Sequence, residues 1–140
     1  MASPLEIYNA WQSRQIAGDF EHLGEVVDLE GFRDICIGLS DWTTGYQAAF
    51  QNLTRNILIP WTDLQMTVEE MIEGKDAVVV RLHVEGTHVS EFLGVPATGR
   101  RVSWEAVTIV KVKDDRVVEN YTLLNLWGIY QQLTAPTLQQ

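Results

Sequence analysis

The sequence predicts an α+β fold in which a curved sheet wraps around N-terminal helices. Three observations predict it. Apolar residues recur at three- and four-residue steps in the first half, the spacing of one helix face, and alternate in the second half, the spacing of one sheet face. The alternating segments are long and separated by Gly- and Asp-bearing turn signals, so they read as antiparallel hairpins. Finally, 140 residues that are 46% hydrophobic and 21% charged suffice for one domain, residues 1–140, with one substantial core. A sheet bent in this way leaves a cone whose mouth is the expected small-molecule pocket.

The elements follow in order. Ser3 and Pro4 suit a helix cap and first turn, and Leu5, Tyr8, Trp11 and Ile16 carry a helix that Gly18-Asp19 stops. A short helix is expected over about 20–27. Residues 29–39 mix both periods through Phe32, Ile35 and Ile37. Thr43 or Thr44 caps a third helix that carries Tyr46, Ala49, Phe50 and Leu53 on one side and ends before Pro60. Four strands are expected, over 63–73, 77–85, 101–113 and 116–126, with turns at Gly74-Lys75-Asp76 and Asp114-Asp115 and a Gly/Pro-bearing connection over 91–99. Strands of about ten residues are long and must bend. The tail 134–140 is expected to fray.

Ten basic against nineteen acidic residues give a formal charge of −9, which repels phosphate backbones and anionic bilayers. Neither nucleic acid nor membrane is therefore an expected partner, and Arg100-Arg101 is too small a cluster to reverse this. Apolar runs such as Ala77–Val80 fall far short of the roughly 20 residues of a span. Residues 1–6 carry no signal core, and the lone Cys36 closes no internal disulfide, so a cytoplasmic protein is expected. No metal motif, phosphate loop or dinucleotide fingerprint stands out, and no metal or cofactor is expected. The segment Gly94–Gly99 joins strands instead of opening a helix, so it lacks the dipole that holds phosphate.

The candidate chemistry lies in polar residues stranded among apolar ones. Glu119, Tyr121, Leu123 and Asn125 share one strand face by alternation. Facing inward they line the cone with an acid, a phenol and an amide; alternatively Asn125 caps or turns the strand end. His88, in Gly86-Thr87-His88, has the side chain best matched to proton transfer near neutrality, although a lone His is more often structural. Arg81 and His83 share a face opposite Val80 and Leu82, and a bulge at Gly86 would bring His88 to their side. Of the five Trp, one or two are expected to form a flat wall for a ring-shaped ligand. Arg81, Trp104, Thr108, Tyr121 and Leu123 are the ligand-contact candidates; the facing of Trp104 and Thr108 turns on whether a bulge precedes them.

The segment Gly86-Thr87-His88-Val89-Ser90-Glu91-Phe92-Leu93-Gly94-Val95-Pro96-Ala97-Thr98-Gly99-Arg100-Arg101-Val102 resembles the "GTHxGxFxGxPPTGxxV" segment of the SnoaL-like polyketide cyclase family. The stretch Asp63 to Arg81 and the tail Asp115 to Leu133 match the family pattern too, so the resemblance covers nearly all of residues 5–133. It implies a nuclear-transport-factor-2-like α+β barrel with a cone-shaped pocket, and homodimers packed through the sheet. It also implies intramolecular aldol chemistry without metal or cofactor, in which a carboxylate removes a proton alpha to a carbonyl and donors hold the enolate. The family's "ExWxxxD" falls on Glu119 to Asn125, so the acid/base Asp position holds Asn125 and the Trp position holds Tyr121. An amide takes no proton at neutral pH.

Three functions are therefore set side by side. The first is a cofactor-free acid–base enzyme acting on a hydrophobic carbonyl-bearing substrate, with His88 or Glu119 as base and Tyr121 and Asn125 as donors. The second is a non-catalytic carrier of a hydrophobic small molecule, with Trp104 and Tyr121 supplying contact. The third is an interaction module that uses the outer sheet face to form a homodimer.

Overall fold

The computed structural model describes residues 2–136. Helix α1 (Pro4–Ala17) starts at a reciprocal cap in which Ser3 Oγ accepts the Glu6 N–H and the Glu6 carboxylate accepts the Ser3 N–H. Gly18, at φ 72°, ends it in the left-handed conformation. In place of the short helix expected over 20–27 there is one 3₁₀ turn, Leu23–Glu25. The mixed-period segment contributes β1 (Arg33–Cys36), which pairs with β2 (Ser40–Thr44). Thr43 and Thr44 are therefore strand residues and not helix caps. Helix α2 (Tyr46–Leu53) begins at Gly45 with no side-chain cap and runs into a π turn, Thr54–Leu58.

Four long strands follow: β3 (Trp61–Glu73), β4 (Ala77–His88), β5 (Arg101–Lys113) and β6 (Arg116–Leu124). Asp114 and Asp115, both at positive φ, form the two-residue turn between β5 and β6, a turn whose twist suits a hairpin. Helix α3 (Leu126–Thr134) was not expected from the sequence. Of the tail expected to fray, Thr134 closes α3, while residues 137–140 lie outside the described residues.

The sheet has six strands, not four, in the order β2-β1-β6-β5-β4-β3. It is mixed: β1 runs parallel to β6 and every other pair is antiparallel. Bulges interrupt the β3–β4 ladder between Thr62 and Gln65 and between Val68 and Glu70. A further bulge lies between β5 and β6, where Val112 opposes Val117 but Lys111 opposes Glu119, leaving Val118 as the extra residue. Such insertions bend strands of this length.

The inner face is the one the helices cover. At one end Ile7, Tyr8 and Trp11 of α1 and Tyr46 and Ala49 of α2 pack on Val78, Val80, Val110 and Val117. At the other end Ile129 and Leu133 of α3 pack on Val84, Trp104 and Ala106, together with Trp61 and Phe92. Each fully buried aliphatic side chain contributes about 1.5–3 kcal/mol, so these two clusters hold the helices on the sheet. Leu82 borders both. On the same face of β3, Met66 and Val68 stay 65% and 50% exposed. No helix among the described residues is long and apolar enough to cross a membrane.

Candidate functional site

Directly opposed residues of neighbouring strands share a face, so the register reads as rows across the inner surface. One row runs Val78, Val110, Asn120, Asp34; the next runs Val80, Thr108, Thr122, Cys36; a third runs Leu82, Ala106, Leu124. The first row turns polar at β6 and β1, the second already at β5 with Thr108, and the third is apolar throughout. Asp34, Cys36, Thr108, Asn120 and Thr122 thus form one half-buried polar band beside the apolar residues of β4.

Within the band, Asn120 Nδ2 donates to Asp34 Oδ1 at 3.0 Å and to Thr122 Oγ1 at 3.3 Å. Burial raises the Asp34 carboxyl above its ordinary value of 3.8, and the Asn120 hydrogen bond opposes part of that rise. Burial, assisted by the Asp34 charge, pushes the Cys36 thiol up to about 11, so it stays protonated. Burial also raises Tyr46; the Asp34 charge adds to the rise, and the hydrogen bond from Trp11 Nε1 at 3.3 Å opposes it. The Tyr46 hydroxyl donates to Gln15 Oε1.

The structure separates most of the residues singled out from the sequence. Glu119, Tyr121 and Leu123 do share a face, as the alternation says, but it is the outer one: they oppose Lys111, Ile109 and Val107. The bulge at Val118 is the reason. A regular strand continuing from the buried Val117 would have carried this row inward; the extra residue turns it out and brings Asn120, Thr122 and Leu124 in. Glu119 is engaged with Arg33 and Lys111, each at 3.5 Å. Tyr121 lies beside Trp42, which carries the Arg33 guanidinium over its ring at 4.3 Å. Arg81, also on the outer face, pairs with Glu70 at 3.5 Å.

Asn125 takes the second role the sequence allowed: it caps α3, its Oδ1 accepting the Gly128 N–H at 3.0 Å, and it is exposed. His88 lies on the inner face with Val84 and Gly86, opposite to Arg81, because the β4–β5 register runs unbroken past Gly86. Gly86 marks close packing, and the extra residue at this level belongs to β3, between Thr62 and Gln65, not to β4; a Cβ on Gly86 would meet Leu64 at 3.0 Å and Trp61 at 3.3 Å. His88 is 0% exposed. Its Nδ1 accepts the Thr98 N–H at 3.1 Å and lies 2.9 Å from Thr98 Oγ1, so the neutral ring carries its proton on Nε2 and has no free lone pair. Burial lowers its pKa, and the Ser90 backbone offsets part of that shift. His88 and Thr98, the His and Thr of the sequence motif, thereby fasten the connection between β4 and β5, which is also closed by His88 N–H to Arg100 O and Gly99 N–H to His88 O. Trp104 is core, its ring tilted 51° against Trp61 with centroids 4.8 Å apart. Of the ligand-contact candidates, only Thr108 falls in the polar band.

Asp34, Asn120, Thr122 and the band position of Cys36 were not found from the sequence. Asn120 and Thr122 alternate with the row of Glu119, Tyr121 and Leu123, and the bulge chooses between the two sets. The described residues form hollows of about 430 Å³, lined by Pro4, Lys75, Val112 and Asp115 among others, and about 400 Å³, lined by Leu29, Thr44, Tyr46 and Gln51 among others. Neither is the cone-shaped chamber expected from the sequence, and neither is lined by a candidate catalytic or ligand-contact residue. No cluster of three or more His, Cys, Asp or Glu among the described residues is placed to share a metal ion.

Comparison with known proteins bears on what this architecture is. Aklanonic acid methyl ester cyclase DnrD of Streptomyces peucetius is 34% identical over 59 residues, 42% of this chain and 41% of that protein. DauD of Streptomyces sp. strain C5, with the same activity in its name, is 34% identical over 59 residues, 42% of this chain and 37% of that protein. The matched stretch therefore spans about two fifths of these curated relatives. Among solved structures, a SnoaL-like protein from Jannaschia sp. CCS1 superposes with a TM-score of 0.78 at 23% identity, over 98% of this chain and 99% of that one. A nuclear-transport-factor-2-like protein from Burkholderia thailandensis E264 superposes with a TM-score of 0.73 at 12% identity, over 97% of this chain and 100% of that one. At these identities the likeness speaks to the fold, which is the nuclear-transport-factor-2-like α+β fold expected from the sequence. The profile of SnoaL-like polyketide cyclases matches residues 10–133, most of the chain, and the protein belongs to that family.

Proposed function

We infer that the protein is a cofactor-free acid–base enzyme of the cyclase type, acting on a hydrophobic carbonyl compound laid on the inner sheet face. One observation carries this reading: a contiguous polar band, Asp34, Cys36, Thr108, Asn120 and Thr122, stands beside apolar rows on the inner face. Apolar rows suit a ring system, and hydroxyl and amide groups suit its oxygens. The exposed Met66 and Val68 leave that face uncovered at β3, where a ligand larger than the band can extend. The relatives' names make aklanonic acid methyl ester the first substrate to try. Ring closure by intramolecular addition leaves the mass unchanged and alters retention on reversed-phase chromatography; that product is the expected outcome.

A second reading, a carrier for the same class of compound, is favoured by Asn125, an amide at the position where the family pattern has its acid. Tryptophan quenching by the ester with no product in the same tube would decide for the carrier.

A further inference from the structure

We propose that Asp34 is the group that takes and returns the substrate proton in this protein, and that Asn120 orients it. The proposal rests on reading the inner face as an acid–base site and names the proton carrier that Asn125 does not supply.

The argument begins with elimination on the inner face. Glu119 faces outward into two ion pairs. His88 has its only lone pair engaged by Thr98. Cys36 and Tyr46 stay protonated, and Glu73, which opposes Val78 at the sheet edge, accepts the Leu5 N–H. Asp34 is the carboxylate left in the band. The neighbouring Arg33 opposes Glu119 on the other face, and no Lys or Arg among the described residues forms an ion pair with Asp34. An unneutralised, half-buried carboxylate is a stronger base than one in water, the condition general base catalysis needs.

Asn120 donates one hydrogen bond to Oδ1, which fixes the carboxylate plane and leaves Oδ2 with no hydrogen bond from the described residues. The same amide bonds Thr122 Oγ1, so the Thr122 hydrogen is available to donate elsewhere. Thr108 stands directly opposite Thr122. The two hydroxyls are donors for an oxygen that gains charge beside the carboxylate.

The step balances within one molecule of substrate. Asp34 takes a proton from the carbon alpha to a carbonyl, and the C–H electron pair moves onto the carbonyl oxygen as an enolate. The enolate carbon forms a bond to a second carbonyl carbon of the same molecule, giving an alkoxide. The alkoxide takes the proton back from Asp34. Nothing is oxidised or reduced, and the carboxylate is restored.

The experiment compares wild type, Asp34→Asn and Asn120→Ala. Ring closure of aklanonic acid methyl ester is followed by chromatography. Deuterium uptake at the methyl of 2-acetylnaphthalene in D₂O is followed by NMR, with affinity for each compound read from tryptophan quenching. A general base is worth about 10²–10⁴-fold, so Asp34→Asn is expected to lower both rates by that factor with affinity kept within about threefold. The acid limb of the wild-type rate profile is expected to move to higher pH in Asn120→Ala, because that bond holds the carboxyl pKa down. Deuterium exchange in Asp34→Asn as fast as in wild type overturns the proposal, whatever the ring-closure result. Exchange that depends on Asp34 without ring closure supports the proposal and overturns the cyclase reading. Absence of both activities in wild type overturns both.

Discussion

A carboxylate in a protein interior with an amide for its hydrogen-bonded neighbour is held at the expense of folding free energy. Burial raises the folded pKa of Asp34 above 3.8, so its contribution to stability is full below that value and is lost as pH rises through the folded one. Asp34→Asn is therefore expected to melt at or above the wild-type temperature at pH 7, with the gap closing as the pH approaches 4; calorimetry across that range checks it. A base kept for its chemistry predicts this sign, and a residue kept for stability predicts the reverse. His88 works in the other direction. Its pKa lies below the ordinary 6.5, so its contribution is full above 6.5 and is lost as pH falls through the folded value. His88→Phe keeps a ring in the core but loses the Thr98 bonds. Urea unfolding should find it less stable than wild type at pH 7.5, by a margin that narrows toward pH 5. Neither environment is written in the residue type. Asp34 sits in the one segment whose periodicity was mixed, and what makes it unusual, Asn120, comes from the far end of the chain. Asn125 was half legible: the cap was one of two readings, and Leu126, Ile129 and Leu133, at helical spacing, decide for it.

At the scale of elements, the long strands, their turns and α1 were readable because periodicity and Gly/Asp punctuation agree there. What periodicity cannot supply is which face a strand presents. In β6 a single extra residue, Val118, exchanges the two sets, and nothing in a run of Val-Val-Glu-Asn-Tyr marks it. α3 carries its own test. Asn125→Ala removes a cap worth about 1 kcal/mol, a fall of about 3 °C in melting temperature for a chain of this size. A Cβ on Gly128 would lie 2.5 Å from Asn125 Nδ2, so Gly128→Ala should lose the roughly 1 kcal/mol that alanine ordinarily gains over glycine in a helix. In the Asn125→Ala background that gain should return. A double-mutant cycle by urea denaturation measures the coupling, and additive effects would contradict the cap geometry.

For the whole molecule, the outer sheet face carries both ion pairs and exposed apolar residues, Trp42 at 41% and Leu123 at 47%. This is the face through which the family resemblance predicts pairing of two copies. Light scattering at micromolar concentration is expected to give twice the monomer mass, and Leu123→Lys to halve it. A monomeric wild type would count against the pairing. The overall class was legible because one-sided helices followed by long alternating strands have few ways to bury both faces. The place of β1 was not, because its partner lies at the other end of the chain. That partnership bears on how the protein is made. The hydrogen bond between Asp34 and Asn120 closes a loop of 86 residues, and β1 finds its parallel neighbour only in the last strand. A nascent chain with β6 still inside the exit tunnel lacks the Asn120 that bonds Asp34. If Asp34 and Asn120 act together, a product truncated before residue 116 is expected to be inert however well its early segments collapse.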